Sequence, residues 1–184
     1  HGHGDHTGDS LAIAKELNIP VVGIYDLISW FEARDGISGI GFNKGGTVSL
    51  NGAQLTMVNA CHSSSVGSDT GPVYAGSEAG YMLAGEGHTI YISGDTDIMA
   101  DMAWMGELHQ PEIGILSCGG HYTMDMERAA WAARKPPRTW SRIRLFACCR
   151  TGPARSSPIR VPFSFASPRI SSSTTIVGDN TARP

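Results

Sequence analysis

Three histidines and an aspartate fall within the first six residues of the chain, in the segment HGHGDHTGDS. The four side chains are those of His1, His3, Asp5 and His6. Imidazole and carboxylate together suit zinc, with iron or manganese as alternatives. The two intervening glycines let the backbone curl so that the four side chains can converge. In an extended or loop conformation, the first two histidines point the same way and the other pair points towards a second position. The segment therefore indicates ligands for two metal ions that hold a water between them.

Clustered histidines have a second interpretation, as a purification tag or a weak scavenging site for metal. A tag is usually an uninterrupted run of histidines. Here the segment continues into HTGDSLAIAKELN, in which Thr7 or Asp9 is placed to cap an amphipathic helix. This continuity with a capped helix favours a functional loop.

Ligand-type side chains also follow three apolar segments of strand length further along the chain. His62 lies in NACHSSS, Asp95 and Asp97 lie in YISGDTDIM, and His121 lies in SCGGHYTMD. Catalytic groups of α/β proteins gather at the carboxyl ends of strands. Each residue taken singly is better explained as an ordinary loop residue, but four such placements in one chain favour a metal site. We therefore expect these loops to meet the N-terminal segment.

The stretches between these residues predict alternating helices and strands. Helical patterns cover HTGDSLAIAKELN, YDLISWFEARDG, TDIMADMAWMGELHQ and TMDMERAAWAAR, and apolar strands cover IPVVGI and EIGILSC. Two hairpins are predicted, one around Asn51-Gly52 and one between strands 80–84 and 88–93. The segment HSSSVGSDTGPVYAG is expected to be a mobile loop near the site. The predicted fold class is α/β or α+β, with helices packed on mixed sheets.

The charge distribution changes abruptly near residue 134. Residues 1–133 carry sixteen of the seventeen acidic residues and four of the fourteen basic ones, whereas residues 134–184 carry ten basic residues and seven of the ten prolines. Prolines at this density oppose a helix or a central strand. The segment is explained either as a basic tail without regular structure or as the product of translation in a shifted reading frame. We therefore divide the chain into a domain at 1–135 and a tail at 136–184.

The overall composition excludes several kinds of partner. A net charge of −3 provides no electrostatic footprint for nucleic acid or an anionic membrane. No apolar run approaches the roughly 20 residues that a membrane span requires. The four cysteines show no CxxC spacing and two are adjacent, which disfavours a simple disulfide framework. We expect a cytoplasmic protein with a small-molecule substrate, no membrane partner and no favoured nucleic-acid partner; a homo-oligomer is left open.

In this order, the segments HGHGDHTGD, CHSSS, SGDTD and GGHYTMD resemble the metallo-β-lactamase superfamily and, more narrowly, its UlaG-like metal-dependent hydrolases. The resemblance spans residues 1 to about 135. It implies a partial αββα sandwich of mixed sheets, with metal ions in a cleft at one edge. It also implies a hydrolase in which two divalent ions hold a hydroxide that attacks an ester, lactone or phosphoester-type substrate. Zinc is the first choice for these ions, and manganese and iron are the alternatives.

The resemblance also assigns roles to individual residues. It implies that His1, His3 and His62 hold the first ion, that Asp5 and His6 hold the second, and that Asp95 bridges both. His121 matches a histidine that lines the substrate pocket, and Asp97 is implied either to support the ligands or to cap a helix. Asp5 is also expected to orient the nucleophile or to carry its proton. Asp5 and His121 are therefore the expected catalytic residues.

The chain departs from the resemblance at both ends. The family has strands before the metal loop and a last metal histidine after the helix that corresponds to TMDMERAAWAAR, but this sequence has no histidine after His121. We therefore expect an incomplete domain, a weakened second metal site and impaired activity. Two alternatives stay open: a nuclease of the same superfamily whose basic tail holds nucleic acid, and a non-catalytic metal-binding fragment.

Overall fold

The computed structural model describes residues 1–134 and 144–148. Within them the helices are Gly4–Thr7 (α1), Ser10–Leu17 (α2), Tyr25–Asp35 (α3), Asp101–His109 (α4) and Met126–Arg134 (α5). The strands are Val21–Ile24 (β1), Gly39–Phe42 (β2), Thr47–Leu50 (β3), Ala53–Val58 (β4), Ser65–Ser68 (β5), Gly71–Tyr74 (β6), Gly80–Gly85 (β7), His88–Ile92 (β8), Ile113–Ser117 (β9) and Arg144–Cys148 (β10). Helices and strands are interspersed along the chain, as the hydrophobic pattern predicts.

A six-stranded mixed sheet forms the centre of the fold, in the order β10-β9-β8-β7-β4-β3. Strands β8, β9 and β10 run parallel to one another, and the pairs β8–β7, β7–β4 and β4–β3 are antiparallel. A parallel pair, β1–β2, and an antiparallel pair, β5–β6, lie outside this sheet. The predicted fold class, with helices on mixed sheets, is confirmed.

Helices cover both faces of the central sheet. Met57 and Val58 are neighbours on β4, so their side chains leave opposite faces of the sheet. Met57 is fully buried in a hydrophobic cluster with Leu27 and Phe31 of α3. Val58 belongs to a second cluster, which includes Met105 of α4. Because both faces are packed, the ends of the central strands are held in fixed positions.

The two predicted hairpins, β3–β4 and β7–β8, are confirmed. Asn51 and Gly52 adopt φ angles of 46° and 92°, and Glu86 and Gly87 adopt φ angles of 52° and 79°. Two consecutive residues with positive φ are typical of the type I′ turn, whose twist matches that of the paired strands. The turn residues thus determine where each hairpin folds back.

Residues 65–74 of the segment predicted as a mobile loop form a hairpin, so the predicted loop conformation is wrong there, while the segment does lie near the site because it contains His62. Strand β5 pairs with β6, and the Ser68 hydroxyl donates to the Gly71 carbonyl oxygen at 2.6 Å across the turn. Val66 is only 5% exposed and packs in the cluster that contains α3. The buried Val66 anchors the hairpin. The surrounding serines and glycines give the segment no strand-like hydrophobic pattern, so the sequence does not predict it.

The structure describes only a small part of the predicted tail at 136–184. Strand β10, at residues 144–148, lies within the predicted tail and is parallel to β9 at the edge of the central sheet. The other residues of the predicted tail lie outside the described part of the chain. The division into domain and tail therefore stays a prediction.

Two further observations concern the surroundings of the protein. No helix among the described residues is both long and apolar enough to cross a membrane. Cys61 is free and exposed, whereas Cys118 is disulfide-bonded. One bonded cysteine does not make a disulfide framework, so the expectation about such a framework and the cytoplasmic location both stay predictions.

We predict that Gly94→Ala destabilises the fold more than Gly87→Ala. Both glycines have positive φ, 60° and 79°, a conformation that costs an alanine about 1–2 kcal/mol. A Cβ at residue 94 would also lie 2.7 Å from the carbonyl oxygen of Ala79, whereas a Cβ at residue 87 meets no atom within 4 Å. Denaturant titration of both variants measures the free energies of unfolding. Equal losses in the free energy of unfolding would contradict the prediction, because they would show that the close contact with the Ala79 carbonyl oxygen does not destabilise the fold.

Candidate metal centre

Five of the six predicted metal ligands come together in space. They form two groups that share His1: His1, His3 and His62 in the first, and His1, His6 and Asp95 in the second. Within each group the ligand atoms all lie within 4.8 Å of one another. His6 is exposed and the other four are partly buried. The N-terminal segment therefore does meet the loops of His62 and Asp95.

The distances between these side chains fit ligands that face a shared ion. His1 Nε2 lies 2.9 Å from His3 Nδ1, and Asp95 Oδ2 lies 3.1 Å from His6 Nε2 and 3.8 Å from His62 Nε2. Two nitrogen ligands of a tetrahedral zinc ion, at bond lengths of about 2.0–2.1 Å, lie about 3.3 Å apart. The spacing and the donor set of imidazoles and a carboxylate therefore fit a zinc-type ion. Asp95 contacts a histidine of each group.

The direction of three strands brings His62, Asp95 and His121 to the same edge of the sheet. Strands β4 and β8 are both antiparallel to β7, which lies between them, so they run in the same direction, and β9 is parallel to β8. Each of the three residues follows the carboxyl end of one of these strands. The loops accordingly gather at one edge, as their positions after apolar strands predict.

Close backbone packing at Gly2 sets the N-terminal segment against the loop that contains His62. Gly2 is buried, and its N–H donates to Ser64 Oγ at 3.2 Å. A Cβ at this position would lie 2.8 Å from the carbonyl oxygen of Ser65, so the approach requires glycine. This contact holds the histidines that flank Gly2 within reach of His62.

A single helical turn, α1, carries Asp5 and His6. His3 is extended, as predicted, and its carbonyl oxygen accepts hydrogen bonds from the N–H groups of His6 and Thr7 at 2.9 and 3.0 Å. The turn brings His6 to Asp95, whereas Asp5 is exposed and belongs to neither ligand group. The structure does not bring Asp5 into the ligand groups, so its metal-binding and catalytic roles stay predictions.

His121 also lies outside both ligand groups, in an exposed loop where it lines a cavity of about 400 Å³. The other lining residues are Cys61, Asp97, Gly120, Tyr122, Thr123, Met124, Asp125 and Arg128. Two of them, Cys61 and Asp97, belong to the loops that carry metal-ligand candidates. The cavity thus adjoins those loops, and the role of His121 towards substrate stays a prediction.

Arg128 is a residue of this region that sequence analysis does not single out. Its Nη1 donates to both carboxylate oxygens of Asp97 at 2.6 Å, and this hydrogen bond is the main reason that the pKa of Asp97 is lowered. Both side chains are about half exposed, so the pair adds little stability. Asp97 therefore ties its loop to α5 and does not cap α4, which begins at Asp101. The sequence signal for the start of α5 is Asp125, whose carboxylate accepts a hydrogen bond from the Arg128 N–H. No local pattern links Arg128 to Asp97.

We predict that Gly2→Ala weakens zinc binding and that Gly4→Ala leaves it unchanged. A Cβ at residue 2 collides with the Ser65 carbonyl oxygen, whereas a Cβ at residue 4 meets no atom within 4 Å. Moving the segment displaces its histidines from His62, and metal–ligand distances tolerate only about 0.2 Å. Titration with zinc in competition with a chromogenic chelator measures the affinities. Equal affinities in the two variants would contradict this role of Gly2.

Relatives of known sequence share most of the described part of the chain. Residues 1–139 match the family described as a beta-lactamase superfamily domain. A UPF0173 metal-dependent hydrolase of Paracoccus denitrificans is 74% identical over 135 residues, which cover 73% of this chain and 59% of that protein. A second, from Cereibacter sphaeroides, is 70% identical with the same coverage. The chain thus spans 59% of the length of these two relatives.

Solved structures share the arrangement of strands and helices. Igni18, a metallo hydrolase from the archaeon Ignicoccus hospitalis, superposes with a TM-score of 0.65 at 32% sequence identity, over 81% of this chain and 60% of that chain. The metallo-beta-lactamase fold protein YhfI from Bacillus subtilis superposes with a TM-score of 0.59 over 83% of this chain and 63% of that one. At its 18% identity, that likeness concerns the fold alone. With ligand-type residues at the strand ends and helices on both faces of the sheet, the chain belongs to the beta-lactamase superfamily and has the metallo-β-lactamase fold.

Proposed function

We propose that the chain is part of a metal-dependent hydrolase that cleaves an ester, lactone or phosphoester-type bond of a small molecule. The observation that carries the proposal is the meeting of five ligand-type side chains, from three separate segments, in two groups that share His1. The relatives from P. denitrificans and C. sphaeroides bear the name metal-dependent hydrolase, which supports the same reaction class. The order of the ligand-bearing segments along the chain favours the UlaG-like branch of the superfamily.

We propose two divalent ions, with zinc as the first candidate and manganese or iron as alternatives. His1, His3 and His62 would hold the first ion, and Asp5 and His6 the second, with Asp95 between them. A divalent ion bound here would lower the pKa of a water ligand to about 7 and polarise an oxygen of the bond to be cleaved. The contacts of Asp95 with His6 and His62 support its position between the two groups.

Asp5 and His121 are the residues that we propose to act on the reacting groups. Asp5 directly precedes His6 in the helical turn α1, and its proposed role is to orient an attacking water or to accept its proton. His121 lines the cavity that adjoins the loop of Asp97, from which it can hydrogen-bond to a substrate. Both side chains are exposed, which allows contact with a bound small molecule.

The two ions are proposed to bind with unequal affinity. The first group supplies three imidazoles, whereas the second draws on His1, which the first group also uses. We therefore expect one tightly bound ion, one weakly bound ion, and low hydrolytic activity when metal is limiting.

We predict that His62→Ala abolishes the tighter zinc site and that His88→Ala leaves zinc binding unchanged. His62 belongs to the first ligand group, and its Nε2 lies 3.8 Å from Asp95 Oδ2. His88, at the start of β8, is exposed and pairs with Glu112 instead. Calorimetric titration with zinc, together with elemental analysis after dialysis, measures the number of ions and their affinities. A wild-type chain that binds no zinc, or a His62→Ala variant that binds it normally, would contradict the proposal.

We predict zinc-dependent hydrolysis of small chromogenic esters, lactones or phosphodiesters, and no cleavage of oligonucleotides. Residues 1–133 carry sixteen acidic and four basic residues, a charge balance that opposes nucleic acid. The assay compares the wild type, the His62→Ala variant and the His88→Ala control, each with added zinc and with chelator. Hydrolysis that survives the chelator would contradict a metal-dependent reaction. Oligonucleotide cleavage that the His62→Ala variant loses would favour a nuclease instead.

A further inference from the structure

Thr96 is a fully buried polar residue in the loop that carries Asp95. Three polar residues are buried in the described part of the chain, Ser64, Ser93 and Thr96, and each lies in or beside a loop with a ligand-type side chain. A buried hydroxyl is stable only when hydrogen bonds within the protein replace those that it loses to water. The partners of these hydroxyls therefore indicate which segments the fold holds together.

The Thr96 hydroxyl joins the loop of Asp95 to the loop of His62. Its Oγ1 accepts the N–H of Cys61 at 2.9 Å and donates to the carbonyl oxygen of Asp97 at 2.6 Å. The Asp97 N–H in turn donates to the Cys61 carbonyl oxygen at 3.0 Å. Cys61 directly precedes His62, and Thr96 directly follows Asp95. These hydrogen bonds therefore flank two side chains whose ligand atoms lie 3.8 Å apart.

The backbone of Thr96 holds a third loop. Its carbonyl oxygen accepts the N–H of Met124 at 3.1 Å, in the loop that carries His121. Met124 is only 2% exposed and packs in the hydrophobic cluster that includes residues of α4 and α5. One buried residue thus joins the three loops that follow β4, β8 and β9.

We propose that Thr96 is a positioning residue whose hydroxyl fixes His62 relative to Asp95 and thereby determines the metal affinity of the site. The inference rests on the proposed function, since that function assigns both residues to metal ions. Metal–ligand distances tolerate only about 0.2 Å, so the two loops must be held to a comparable precision. Valine has nearly the shape of threonine but cannot accept a hydrogen bond. It would leave the Cys61 N–H without its partner and loosen the link between the loops.

The zinc affinity of matched variants tests this role. Thr96→Val is expected to lower the affinity by about 10- to 100-fold, the loss typical of residues that orient metal ligands. Thr96→Ser keeps the hydroxyl and is expected to retain wild-type affinity. Thr56→Val is the control, because the Thr56 hydroxyl is also hydrogen-bonded, to Thr47 at 2.7 Å, on the exposed surface of the β3–β4 hairpin. Wild-type affinity in Thr96→Val, or equal losses in Thr96→Val and Thr56→Val, would overturn the proposal.

Hydrogen exchange of the metal-free protein tests the same role without any ion. Thr96→Val is expected to accelerate exchange in peptides that cover 59–64 and 94–97, whereas Thr56→Val is not. Unchanged exchange in these peptides would overturn the positioning role. A wild-type chain that binds no zinc would contradict the proposed function instead, while the exchange result still decides whether Thr96 holds the loops.

A second variant keeps the test decisive if Thr96→Val fails to fold. Thr96→Cys places a thiol, which is a weaker acceptor than a hydroxyl, at nearly the same position. It is expected to lower zinc affinity and accelerate exchange in the same direction as valine but by a smaller factor. Wild-type affinity together with wild-type exchange in this variant would overturn the proposal.

Discussion

The candidate site depends on a constraint of sheet topology, the common direction of β4, β8 and β9. Strands β4 and β8 run the same way because both are antiparallel to β7, and β9 is parallel to β8. Their carboxyl ends therefore face one edge of the sheet. With β7 between them, β4 and β8 lie about 10 Å apart at the usual strand spacing of about 4.8 Å. Two short loops and two side chains span that gap, so His62 and Asp95 approach to 3.8 Å.

Loops at a strand edge keep a fixed geometry only where something joins them, and here buried hydroxyls do so. Ser64 accepts the N–H of Gly2, Thr96 accepts the N–H of Cys61, and Ser93 accepts the N–H of Ser117. Each hydroxyl satisfies a backbone donor from a different segment. Without such a partner, a buried donor costs about 1–3 kcal/mol. Among the described residues, the buried hydroxyls therefore lie where one segment near the site is hydrogen-bonded to another.

The proposed chemistry follows from the concentration of lone pairs in one partly buried place. Imidazole nitrogens of His1 and His3 face each other across 2.9 Å, and the carboxylate of Asp95 faces two more histidines. At these distances each pair can share a proton in a hydrogen bond, and where the nitrogens are deprotonated the same lone pairs are placed to share a cation. That is the physical reason to propose a metal-dependent reaction at this edge, which the family membership and the names of the relatives support.

The sequence by itself determined the features that depend on neighbours along the chain: the ligand types, the two type I′ turns, and most of the helices and strands. The tertiary structure decided the rest. It assigned His1 to both ligand groups, left Asp5 exposed, paired Arg128 with Asp97 and formed the β5–β6 hairpin. These features depend on which strands lie side by side and which loops they bring together. No local pattern encodes the order of strands in a sheet, because that order is selected by packing between segments distant in the chain.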